Sequence, residues 1–242
     1  MEEAKRAKFP VSKGAALVVA MLASGLSQAG WYDSGKVLAT GGVSMIDGAG
    51  GGGITPWATI TGYGTKEGIN GDLHYTYAPL ANYTLHSLGA AVGFWDRFEL
   101  SYTSSALTTG STFDTVGLVA DTLGGVTGSL AGTPINTGIE PFNTTIEMES
   151  IGAKVRVFGE AIYDSDNLIP QIAIGGFYKN NKNEDLLKTL KADKAKDWEA
   201  YISATKIFFP INTLINITAR YTAANQTGLV GFGGPDGSDK EI

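Results

Sequence analysis

Apolar and polar positions alternate with a period of two along most of the chain, most cleanly from Thr144 to Tyr178. In the first arm of this stretch Ile151, Ala153, Val155 and Val157 share one parity, and Ser150, Gly152, Lys154 and Arg156 share the other. That is the pattern of a strand with two unlike faces. A second arm repeats it more weakly, Ile172 and Ile174 against Gln171, Ala173 and Gly175, and Asp164–Asn167 supplies the turn between them. One face of the hairpin is apolar and free of charge, while the other carries two cations. Such a ribbon sets lipid or a large apolar core against one side and water against the other.

The same reading predicts strands over Val37–Ile46, Ile54–Gly64, Gly71–Ala78, Tyr83–Phe94, Phe98–Ser104, the two hairpin arms, Trp198–Phe209 and Ile211–Ala223. Short turns fall at Thr65–Ile69, Trp95-Asp96-Arg97, Asp164–Asn167 and Phe209-Pro210-Ile211. The long intervals are Ser105–Asn143 and Lys179–Asp197, the second with Leu186, Leu187 and Leu190 at the spacing of a short surface helix. Counted from a periplasmic start, these four turns land on one side, and both long intervals, with the short connection near Pro79–Asn82, on the other, as in an outer-membrane barrel. Phe94, Trp95, Phe98, Phe158, Tyr163, Phe208 and Phe209 gather at the short-turn ends. Trp57, Tyr77, Tyr102, Phe177, Tyr178, Trp198 and Tyr221 gather toward the long-loop ends. Two aromatic rims are what bilayer interfaces select. The expected fold is all-β, an antiparallel up-and-down transmembrane β-barrel with about nine to ten strands present. Nine strands, an odd number, and a polar final stretch, Ser238–Ile242, point to a barrel truncated at its C-terminus.

Parity assigns the faces. Toward lipid go Leu88, Val92, Leu100, Tyr102, Ile151, Val155, Val157, Ile172, Ile174, Ile215, Ile217 and Tyr221. Toward the lumen go Asp72, His74, Thr76, Ser87, Glu99, Ser101, Thr103, Lys154, Arg156, Asn216, Thr218 and Arg220. The strands predicted over Ile54–Gly64 and Trp198–Phe209 declare no face. Inward Gly89, Gly93, Gly152, Ala173 and Gly175 leave room in the lumen unless a loop fills it.

Composition agrees. The chain has 242 residues, 33 of them Gly, no Cys, and 17% charged residues with a net charge of −6. The acidic balance argues against nucleic acid as a partner, and the lack of Cys excludes disulfides and thiolate metal sites. No segment after residue 30 has the ~20 apolar residues of a membrane helix. At the N-terminus Lys5, Arg6, Lys8 and Lys13 precede the apolar Ala15–Leu26 and the small-residue site Ser27-Gln28-Ala29, so residues 1–29 read as a signal peptide cleaved after Ala29. Removing its four cations and two anions leaves 14 basic and 22 acidic residues, a net −8, in the barrel domain, residues 30–242. The partners implied are outer-membrane lipid, the periplasmic chaperones and barrel-assembly machinery that deliver such a chain, and a small solute.

Candidate chemistry is sparse. Asp72, His74, Glu99, Lys154, Arg156 and Arg220 are the lumen-lining charges, with Glu99 on a strand next to Lys154 and Arg156. They form either structural ion pairs, since unpaired charge in a narrow interior is costly, or a constriction that selects permeants by sign. His86 adjoins Ser87, but neighbours on a strand face opposite ways, so no catalytic pair forms. No spacing of metal ligands is present, and neither a cofactor nor an enzymatic activity is expected. Gly48–Gly53 matches G-x-G-x-x-G, yet Ile54-Thr55-Pro56-Trp57 follows where a phosphate-binding helix would be needed, so it reads as a flexible loop.

The blocks Gly41–Ala58, Gly62–Thr65, Gly93–Tyr102, Gly152–Gly159, Leu168–Ala173, Ser203–Lys206 and Ala224–Gly234 resemble an uncharacterised proteobacterial family of outer-membrane β-barrel proteins, catalogued as domain-of-unknown-function family 3034. The resemblance implies the barrel and the outer membrane, with further strands beyond this point. It brings no activity, cofactor or catalytic residue. The resulting expectation is a pore or solute-uptake channel with a polar lumen. The alternative is a non-conducting structural barrel whose outer loops bind a partner.

Overall fold

The structure, a computed structural model, describes residues 44–62, 68–81, 83–109, 145–161 and 168–234. The signal peptide, most of the strand expected over Val37–Ile46, the turns at Thr65 and at Asp164–Asn167, most of the Ser105–Asn143 interval and the last residues of the tail lie outside the described residues.

Seven strands form one antiparallel sheet in strict chain order: β3 (Ile69–Pro79), β4 (Tyr83–Phe94), β5 (Phe98–Thr109), β6 (Thr145–Phe158), β7 (Gln171–Asn181), β8 (Lys196–Phe208) and β9 (Thr213–Tyr221). The sheet curls into a half-barrel, so the fold is all-β and up-and-down. β5 runs five residues past its expected end, because Ser105 and Thr109 continue the inward polar parity of Glu99, Ser101 and Thr103 and are likewise buried. Registers pair Glu99 with Lys154, Gly152 with Phe177, and Tyr201 with Arg220, and one shift between Arg156 and Phe158 bends the end of β6.

The two faces are inverted relative to a water-soluble sheet. Leu73, Leu100, Ile151, Ile174, Ile202, Ile215 and Ile217 are exposed on the convex side. Ser87, Glu99, Ser101, Thr103, Ser150, Lys154, Lys179, Glu199, Ser203 and Thr205 are buried on the concave side. Tyr102 keeps the outward parity of Leu100 but is covered, and its hydroxyl donates to Glu149. β8 now declares its faces, with Glu199, Tyr201, Ser203 and Thr205 inward and Ile202 outward.

The concave side is filled by residues 44–62, and here the structure corrects the sequence reading. Ser44–Ile46 and Ile54–Gly62 are not strands of the sheet. β1 (Gly51–Gly52) and β2 (Thr55–Pro56) pair only with each other, and the rest of the segment is irregular and largely buried against the wall. Alternation at Trp57, Thr59 and Thr61 imitates a strand, but Pro56 has no N–H to give a ladder. The neighbouring amides instead bond to wall side chains, Ala58 to Thr205 Oγ1 at 2.7 Å and Thr61 to the Glu99 carboxylate at 2.8 Å. Ser203 and Thr218 hydroxyls both donate to the Pro56 carbonyl, and Ser87 donates to that of Ile46. A polar wall needs partners when water is excluded, and this backbone supplies them.

Glycine permits the fit. A Cβ on Gly48, which sits at φ +98°, would stand 2.2 Å from Thr103 Oγ1, and one on Gly93 of the wall would stand 2.7 Å from Ile60 and from the Thr61 carbonyl. Gly48–Gly52 is therefore part of a packed inner strap, not the flexible loop that the composition of Gly48–Gly53 suggests, and the room left by the inward glycines is taken.

At the long-loop end the expected short helix is present as α1 (Glu184–Thr189), with Leu186 packed on Ile146 and Leu107. The C-terminal segment folds beside it: Phe232 bridges to Lys194 and Ala224, and Asn181 donates to the carbonyls of Gly228 and Leu229.

Candidate functional site

All six lumen-lining charges singled out from the sequence belong to the inward face, and the structure sorts them into separate clusters. At the short-turn end the β4–β5 turn places Trp95 and Asp96 at positive φ. Asp96 there accepts from Arg156 Nη1 at 2.9 Å, with Glu160 3.8 Å away. The ion pair ties a turn of unfavourable backbone to β6.

The second cluster lies mid-wall. Lys154 Nζ sits 2.9 Å from Glu99 Oε2, and both side chains are only 1% exposed. The ammonium also donates to the carbonyls of Gly50, Thr59 and Trp57 at 2.9, 2.8 and 3.2 Å. Glu99 accepts from the amides of Gly50 and Thr61. Each partner is thus satisfied twice over, by the other and by the inner segment.

The third cluster joins residues that sequence reasoning passed over. Lys179, fully buried on β7, lies 2.8 Å from Asp47 Oδ2 and 3.1 Å from Glu199 Oε1, and it donates to the Thr227 carbonyl at 2.9 Å. Arg220 of β9 pairs with Glu199, lies 3.8 Å from Asp47 and donates to the Ile54 carbonyl. Burial pushes the Asp47 carboxyl above the usual carboxylate range, with the Lys179 ammonium acting against it. Tyr201 and Phe177 stack at 5.4 Å beside this cluster and pack on Met45 and Ala49 of the inner segment. In the sequence Lys179 opens the long interval Lys179–Asp197, and Asp47 follows the strand expected over Val37–Ile46. The available signal was parity, since Lys179 continues the inward row of Gly175 and Phe177, and Glu199 that of Tyr201.

Asp72 and His74 stand together on β3, 3.7 Å apart, and the Ser44 hydroxyl donates to Asp72. His86 and Ser87 point to opposite faces: Ser87 bonds inward to Ile46, and His86 meets the Tyr75 hydroxyl at 2.7 Å and the Tyr77 ring outside. Among the described residues no three His, Asp or Glu side chains gather as a metal site.

A family model described as "Protein of unknown function (DUF3034)" covers residues 40–242. No curated protein and no solved structure matches.

Proposed function

Because the chain belongs to the DUF3034 family, which brings no activity with it, we propose a function from its physical chemistry: an outer-membrane β-barrel serving as a solute-uptake channel, closed at rest by its own residues 44–62. The observation that carries this reading is the inverted sheet. Apolar side chains such as Leu100, at 57% exposure, and Ile217, at 72%, cover the convex face, while charged and hydroxyl groups are buried on the concave one. Hydrocarbon outside and a polar lumen inside give that distribution its driving force. The edges β3 and β9 have no strand partner among the described residues, and lipid tolerates no open edge, so the reading requires further strands between them in the bilayer.

A second reading has its own support. The inner segment fills the concave face and is bonded along its length to the wall, which suits a non-conducting scaffold that presents outer loops to a partner. Planar-bilayer recordings separate the two. The channel reading expects near silence from the full chain and steady, salt-dependent current from a variant lacking residues 44–62 whose β content is intact. Silence from both would favour the scaffold.

A further inference from the structure

We infer that Lys179, Arg220 and Tyr201 form a carboxylate-binding subsite on the channel wall, occupied at rest by Asp47 as an internal stand-in for an organic acid with an apolar or aromatic body. The inference rests on the channel reading and adds the class of solute. The wall alone brings two cations, Lys179 and Arg220, against one anion, Glu199, at this point. The missing negative charge comes from the inner segment: Asp47 Oδ2 lies 2.8 Å from Lys179 Nζ and 3.8 Å from the Arg220 guanidinium. A strap that merely filled space would not need to carry a carboxylate into a buried cation pair.

The fit of Asp47 is incomplete in a telling way. Its second oxygen Oδ1, the Tyr201 hydroxyl and Arg220 Nε are all buried without a hydrogen-bond partner among the described residues. A buried polar atom left unpaired is destabilising. An incoming carboxylate free to orient itself can accept from the Tyr201 hydroxyl and Arg220 Nε, the two donors that the tethered Asp47 leaves unpaired. The surroundings define the rest of the ligand. Phe177 lies 5.5 Å below Lys179 Nζ and stacks on Tyr201, and Met45 and Ala49, two residues to either side of Asp47, cover these rings. Carboxylate and apolar flanks together reproduce the outline of a small aromatic or aliphatic acid. The turn that presents Asp47 is closed by its own bonds, Gly48 N to Met45 O and Met45 N to Ala49 O, so it moves as a unit once Asp47 and the Ser87 bond to the Ile46 carbonyl release.

Benzoate, with neutral benzamide as its isostere, tests the inference in the full chain reconstituted into liposomes. Two readouts apply: uptake, and protease cleavage within residues 44–62. Benzoate should raise cleavage of the wild-type segment and benzamide should not. Asp47→Asn, which removes the competitor's charge, should raise benzoate uptake about tenfold, the value of one charge-assisted hydrogen bond. Arg220→Gln, at a partly exposed site, and Lys179→Gln should abolish the preference for benzoate. Arg220→Gln keeps the test decisive should Lys179→Gln fail to fold. Equal passage of benzoate and benzamide through an open Asp47→Asn channel would overturn the inference and leave the channel reading standing. No uptake by any variant would contradict the channel reading, and the cleavage readout would still decide whether the carboxylate binds.

Discussion

The Lys154 ammonium and the Glu99 carboxylate face each other in register across β5 and β6 at 2.9 Å, and the inner segment closes over both. A buried pair of this kind is costly to break from one side, by about 3–5 kcal/mol, because the remaining charge has nothing to answer it. Lys154→Met alone should therefore sharply lower the denaturation midpoint in detergent. Glu99→Gln with Lys154→Met should recover much of that loss, since a neutral Gln leaves no uncompensated charge and its oxygen still accepts from one of the two amides, Gly50 or Thr61. Additive losses in the double variant would show that the pair is not coupled.

Glycines of the strap should differ by what surrounds them. Gly48→Ala places a Cβ 2.2 Å from Thr103 Oγ1 at φ +98°, whereas Gly53, at φ +61°, has nothing within 4 Å of its Cβ position. Gly53→Ala should cost about 1 kcal/mol of backbone strain and leave the segment in place. Gly48→Ala should expel it, seen as rapid proteolysis within residues 44–62 with circular dichroism unchanged. Equal protection in both would contradict the packed strap.

The β4–β5 turn depends on its ion pair. Asp96 sits at φ +50° and accepts from Arg156 at 2.9 Å, so Asp96→Ala removes both a residue type tolerant of that conformation and the anchor. Asp96→Ala should destabilise by about 2–3 kcal/mol, and Asp96→Asn should recover part by holding the turn. Thermal melts in detergent read the order of the three proteins.

The outer face carries the sharpest contrast between environments. Ile217 is 72% exposed. In water Ile217→Arg would change stability by no more than about 0.5 kcal/mol. In a bilayer it should cost about 2–4 kcal/mol at mid-depth. Folding yield into vesicles, compared with Asn216→Ser on the other face, distinguishes the two.

Much of this architecture was legible in the chain. Parity alone put Ile151 and Ile174 outside and Glu99 and Lys154 inside on adjacent strands, because a pleated strand turns successive side chains to opposite faces whatever the tertiary context. The strap was not legible, for a physical reason. Trp57, Thr59 and Thr61 alternate as a strand does, and what holds them is bonding of their backbone to side chains far along the chain, such as Thr205 to Ala58. No local pattern encodes that. Lys179 and Asp47 were hidden in the same way, one at the start of a long interval and the other at the start of a Gly-rich loop, while their partnership spans more than a hundred residues. The run of glycines at Gly48–Gly53 was the one local trace, marking where backbone passes close to a wall.

The proposed hydrocarbon contact at the convex face is most directly tested by spin labels, and the absence of native Cys allows single-site labelling. Cys placed in turn at Ile151, Gly152, Ala153, Lys154 and Val155 in the bilayer-reconstituted protein should show oxygen accessibility that alternates with a period of two. The maxima should fall at 151, 153 and 155, and a water-soluble nickel complex should be excluded from those same sites. Nickel accessibility at 151, 153 and 155 equal to that of an aqueous loop would contradict the account.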